Sequence, residues 1–94
     1  MKYVLIGSID AKWALKQTER ADAANAQCKA LGIKIESTHY VQGPYDFVVV
    51  ADAPDAEVML GFSLWYATKG YGKLMSLPAH DSATMVRACK RAGG

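Results

Sequence analysis

The segment from His39 to Asp46 gathers the side chains best equipped to do chemistry. An imidazole titrates near neutral pH, a carboxylate can orient it or take a proton itself, and phenols offer both a donor and an acceptor. His39 or Asp46 is therefore a candidate proton acceptor for an acidic small organic substrate. Tyr40, Tyr45 and Asp46 are equally candidates for the polar contacts of a binding pocket. The same residues have plainer uses. An Asp beside a Gly-Pro turn accepts hydrogen bonds from nearby backbone amides, and a Tyr there packs over the hairpin. His39 and Tyr40 are neighbours on an expected strand, so only one of them can enter a given cavity. If Ile33 and Ile35 face the helices, then Glu36, Thr38 and Tyr40 face the open side, an order that a bulge would reverse.

The other reactive types are scattered. His80-Asp81 lies at a strand-to-helix junction, where the Asp reads as an N-cap. Cys28 and Cys89 form no CxxC and no ligand spacing with histidine, so both are expected as buried, reduced thiols. No short loop or helical turn supplies two metal ligands, and neither a P-loop nor a Ser-His-Asp elbow is present. No metal and no cofactor are expected. Phe62, Trp65 and Tyr66 recur at helical spacing, which suits either ordinary core or the wall of a pocket for a flat ligand, with Trp65 as its contact.

These side chains need elements to hold them. Tyr3 to Ile9 is near-continuously apolar, as in a strand buried on both faces. Asp10 to Leu31 is helical after a first short turn, with Thr18 as a fresh N-cap and a stripe of small residues at Ala21, Ala24 and Cys28. Gly32 ends it. Ile33 to Gln42 alternates, Gly43-Pro44 breaks the chain, and Asp46 to Ala51 forms a greasy third strand, which together read as a tight hairpin. Pro54 and Asp55 open a second helix whose face is Val58, Met59, Phe62, Trp65 and Tyr66. Gly70-Tyr71-Gly72 breaks it, Lys73 to Ala79 is a fourth strand, and Asp81 caps a last helix carrying Met85, Val86 and Cys89.

The order β-α-β-β-α-β plus a helix is the split βαβ, or ferredoxin-like, α+β arrangement. Residues 1–94 make one domain. Both crossover helices lie on one face of a four-stranded antiparallel sheet, and the other face is left bare. With 51% apolar residues in so short a chain, that face is expected to be covered by a second copy. The net charge of +2, without basic residues interleaved with aromatics, argues against nucleic acid as a partner. Neither a cleavable leader nor a membrane-spanning run is legible, so a reducing, cytoplasmic setting is expected by default.

The turn Gly43-Pro44-Tyr45-Asp46 resembles the signature of the GYD-domain family, small proteins of the dimeric α+β barrel type, and the likeness runs from the first strand through the fourth. It implies a face-to-face homodimer and leaves assembly beyond the dimer open. GYD proteins often carry an aromatic at the position of His39, so the histidine departs from the pattern. Related barrels include cofactor-free monooxygenases, isomerases and haem-degrading enzymes, so the fold does not assign the chemistry. Three functions stay open: a small-ligand binding protein using Tyr40, Tyr45, Asp46 and Trp65, a cofactor-independent enzyme using His39 or Asp46, or an accessory module with a filled core. A cavity below about 300 Å³ would favour the last.

Overall fold

Side-chain alternation sets the architecture. In the computed structural model, which describes all 94 residues, the first strand, β1 (Lys2–Ile9), buries Tyr3 and Leu5 on one face and half-buries Val4 and Ile6 on the other. A single 3-10 turn (Ala11–Trp13), capped by Asp10 through its bond from the Lys12 amide at 3.0 Å, leads into α1 (Gln17–Ala30). Then follow β2 (Lys34–Tyr40), β3 (Phe47–Asp52), α2 (Ala56–Thr68), β4 (Gly72–Pro78) and α3 (Ser82–Arg91). The sheet runs β2-β3-β1-β4, all pairs antiparallel. This is the ferredoxin-like order, with β1 and β3, the strands that lead into the two crossover helices, at its centre.

The core fills the space between the sheet and the first two helices. Tyr3, Leu5, Phe47, Val49 and Ala51 meet Cys28, Met59, Phe62 and Tyr66 there. Directly opposite Phe47 on β1 stands Gly7, and a Cβ built there would lie 2.1 Å from the Phe47 ring. The missing side chain lets that ring lie across the central strand. At the start of β4, Gly72 has a φ of +148° and its backbone passes so close to Ser8 that a Cβ would sit 1.9 Å from the Ser8 carbonyl oxygen, a fit open only to glycine.

Four points correct an expectation or decide what the sequence left open. First, α1 starts at Gln17 and its N-cap is Lys16, which makes no side-chain cap bond, not Thr18. Entry is organised instead by Arg20, whose guanidinium donates to the Trp13 carbonyl at 3.0 Å. Second, β2 ends at Tyr40, so residues 41–46 form the hairpin loop, closed by the Val41 amide donating to the Asp46 carbonyl at 2.9 Å. Third, a bulge between Ile35 and Ser37 inserts an extra residue into β2. Ile35, Thr38 and Tyr40 then share the helix-covered side, and Ser37 and His39 take the open one. Fourth, Cys28 is buried but Cys89 is exposed.

That last correction follows from α3. Asp81 caps it, accepting from the Thr84 amide at 2.8 Å, but none of its residues is buried, and Met85 and Val86 are exposed on its surface. It extends the molecule to 49 Å along its longest axis, against 20 Å along its shortest. The opposite side of the sheet is bare as well. Two cross-strand rows cross it, His39–Val48–Ile6–Met75 and Ser37–Val50–Val4–Leu77.

Gly7→Ala should push the Phe47 ring out of place and cost about 1–3 kcal/mol, the usual range for an overpacked core. Urea denaturation checks this, and an unchanged midpoint would mean that Phe47 has another place to go.

Candidate functional site

The helix-covered side of the sheet is not filled. Between α1, α2 and the strands lies a half-open cavity of about 270 Å³. It exists because α1 lays small side chains, Ala21 and Ala24, over the sheet while Leu5, Phe47, Val49, Phe62 and Leu74 supply the other walls. Polar side chains break into this apolar lining at Arg20, Asn25, Thr38, Tyr40 and Tyr66.

Arg20 is 3% exposed. Its guanidinium donates to the Trp13 carbonyl and to the side-chain oxygen of Gln17. Both acceptors are neutral, and the ion pairs of the molecule lie elsewhere, at Lys2–Glu36 and at the N-terminal ammonium with Asp52. Gln17 in turn donates through Nε2 to the Tyr40 hydroxyl at 2.6 Å, so one glutamine ties the guanidinium to the phenol at the end of β2. The Tyr66 hydroxyl is buried and has no hydrogen-bond partner. Burial pushes its ionisation up to about 12, with Arg20 pulling the other way and Tyr40, Asp46 and Tyr71 adding to the rise. Burial likewise raises the Cys28 thiol to about 11, which keeps it protonated and unreactive at neutral pH.

Of the side chains expected at a ligand site, Tyr40 lines the cavity. Tyr45 is exposed on the hairpin loop. Trp65 stacks on Phe62 with ring centroids 5.7 Å apart and packs on Tyr71 at the same distance, as part of an aromatic cluster beside the cavity. Asp46 is tied into the backbone. Its Oδ2 accepts from the Ile9 amide at 2.6 Å, and its own amide donates to the Gly7 carbonyl at 2.8 Å. The pair of bonds clamps the hairpin loop to the end of β1. His39 lies on the open face, paired with Val48, and no hydrogen bond joins it to Asp46. His39 and His80 do not converge with cysteines or carboxylates into a metal-binding group.

Among the polar cavity residues, sequence reasoning named Tyr66 as core or pocket wall without a role for its hydroxyl, and it did not single out Arg20 or Asn25. Tyr66 reads as core from its spacing, and its hydroxyl alone hints otherwise. Arg20 had a signal: it stands four residues before Ala24 and eight before Cys28, in line with the small apolar stripe.

Two outcomes test the geometry. Asp46→Ala leaves the Ile9 amide without its acceptor and should lower stability by about 1–3 kcal/mol, measured by thermal or urea unfolding. A variant as stable as the parent would mean that the clamp is dispensable. For Tyr66, the folded protein holds the phenolic proton more tightly than the unfolded chain, whose value is near 10. Stability is therefore unaffected by this group's ionisation below pH 10 and falls as the pH climbs towards about 12, where the unfolded chain gives up the proton first. Phenolate absorbance should show a step near pH 12 that Tyr66→Phe removes, and a step that survives the substitution would refute the assignment.

The comparisons with known proteins agree with this architecture. A model of the GYD domain matches residues 6–89. The chain is also 32% identical over 81 residues to the glutamine synthetase and cystathionine beta-lyase binding protein of Thermus thermophilus, a stretch that covers 85% of each chain. No helix is long and apolar enough to cross a membrane. With its hairpin clamp, its sheet order and a match along nearly its whole length, the chain belongs to the GYD domain family.

Proposed function

We propose that this chain is an accessory protein, a homodimer that binds an enzyme through its C-terminal helix. The observation that carries the reading is α3, amphipathic along its length and buried nowhere. An amphipathic helix laid into a groove is a common mode of protein recognition, with apolar anchors spaced by helical turns. Met85, Val86 and Cys89 supply such anchors, and Arg87, Lys90 and Arg91 surround them with positive charge. A relative named for binding two enzymes supports a protein partner, and glutamine synthetase and cystathionine beta-lyase are the first to test. The cavity, at about 270 Å³, lies below the range of about 300–1,000 Å³ usual for drug-sized ligands, so a large substrate does not fit there.

The bare sheet face is the proposed seat of the second copy. Its two rows are apolar on β3, β1 and β4 and end on β2 in Ser37 and His39, and further polar groups border them. Lys2, Glu36 and Asp52 lie at one end, with Lys2 and Glu36 paired at 3.0 Å, and Ser8 and Lys73 lie at the other. An apolar centre inside a polar rim is how protein interfaces are built. Stable ones bury roughly 800 Å² on each partner, an area that one face of a four-stranded sheet can supply. The enzyme alternative loses support because the Asp46 carboxylate is held by the Ile9 amide, and because His39 stands across the sheet from the cavity.

Sedimentation should give a dimer at micromolar concentration. Met75→Glu and Leu77→Glu, at exposed positions on the bare face, should give folded monomers. Met85→Glu with Val86→Glu should abolish binding to a purified partner enzyme and leave the dimer and Tm unchanged. A monomeric parent protein sinks the face-to-face assembly. If the α3 variants dissociate the dimer instead, the helix belongs to the subunit interface and the partner-binding reading falls.

A further inference from the structure

We propose that the cavity between α1, α2 and the sheet is a receptor for a small organic monocarboxylate, with Arg20, Tyr40 and Tyr66 holding the carboxylate and Leu5, Phe47 and Val49 facing its apolar body. The inference does not rest on the accessory reading, since a ligand-free partner surface and a ligand-binding cavity are separate parts of the fold.

Charge is the first ground. A guanidinium taken out of water is costly unless an anion or a full set of acceptors replaces its hydration. Arg20 is almost fully buried, and its bonds go to two neutral oxygens, the Trp13 carbonyl and the Gln17 side chain. A guanidinium carries five N–H donors in a planar fork that matches a carboxylate edge-on. The protein supplies no carboxylate to this one.

The two phenols point to the same ligand. A buried hydroxyl without a partner is unfavourable, and a phenylalanine would fill the place of Tyr66 without that penalty. The Tyr66 hydroxyl is such a group, on a side chain that lines the same cavity. Tyr40 accepts a bond from Gln17, so its own proton remains to be given. One cation and two phenolic donors around an apolar space recognise a single carboxylate. A phosphate or a dicarboxylate would bring further charge to walls in which Arg20 is the one ionic side chain. The volume of about 270 Å³ restricts the body of the acid to a single ring or a short branched chain.

The test titrates the purified protein with benzoate and isovalerate, and in parallel with benzamide, isovaleramide and inorganic phosphate, following Tm and heat of binding. At least one acid should bind and raise Tm, and the neutral amides and phosphate should not. Arg20→Met should weaken that binding by at least about tenfold, the lower bound for a charged hydrogen-bonded contact. Because Arg20 also organises the start of α1, Tyr66→Phe is the second variant. It should weaken the acid several-fold and leave the unliganded Tm unchanged or higher, whereas a tyrosine of purely structural value would lower Tm and leave affinity alone. The proposal is overturned if neither acid binds at millimolar concentration, if the amides bind as well as the acids, or if both variants keep the parent affinity.

Discussion

Strand β1 is hydrogen-bonded along both edges and apolar on both faces, yet helices reach only one of them. The rest of the molecule answers to that asymmetry. On the covered side, Tyr3 and Leu5 are sealed by α1 and α2. On the other, Val4 and Ile6 sit in rows that continue through Val48 and Val50 to Met75 and Leu77. An apolar patch three strands wide, bordered on β2 by Ser37 and His39, is not a surface that water covers readily. The covered side is incomplete in its own way. The small residues that let α1 approach the sheet closely are too small to fill the space they enclose, and Gly7 lets Phe47 lie down to form the floor of what remains.

The bulge in β2 decides how the hairpin serves these two faces. Without it, strict alternation from Ile35 would put Tyr40 on the bare side and His39 over the cavity. One extra residue at Glu36 exchanges them. It brings the Tyr40 hydroxyl within reach of Gln17 and sets His39 in line with Val48 and Ile6. The same irregularity lets Glu36 meet Lys2 across the sheet at 3.0 Å. Bulges are tolerated where they re-aim a side chain, and here the side chain re-aimed is the one candidate ligand contact that lines the cavity.

Much of this was legible in the residues. Alternation and apolar runs located four strands, helical spacing located the faces of α1 and α2, and Asp55 and Asp81 announced the caps that their bonds to Val58 and Thr84 supply. The bulge was not legible, because Ser37, Thr38 and His39 are polar enough for either face and carry no register signal. The start of α1 misled for a different reason. Thr18 has the right side chain for a cap, but a tertiary contact, Arg20 to the Trp13 carbonyl, outweighs it. Arg20 itself hid in plain view, since a lone arginine on a helix reads as solvated and only the strands packed opposite make it buried. Cys89 looked buried among small residues because its helix was credited with a surface to pack on, and the fold gives it none.

What the carboxylates do bears on the choice between an enzyme and a binding protein. Asp10, Asp55 and Asp81 each accept an amide at the start of a helical segment, and Asp46 accepts the amide at the end of β1. A carboxylate used in this way is held still by its bonds to the backbone. General-base catalysis asks for the reverse, a group within reach of the substrate and poised to change protonation state. The cavity wall is built on another principle. Its polar groups are a guanidinium and two phenols, with the neutral Asn25 and Thr38 beside them, and all can donate hydrogen bonds. Such a wall can hold a negative charge and has little means of creating one. On the proposed reading, these side chains suit the cavity to recognition more than to turnover.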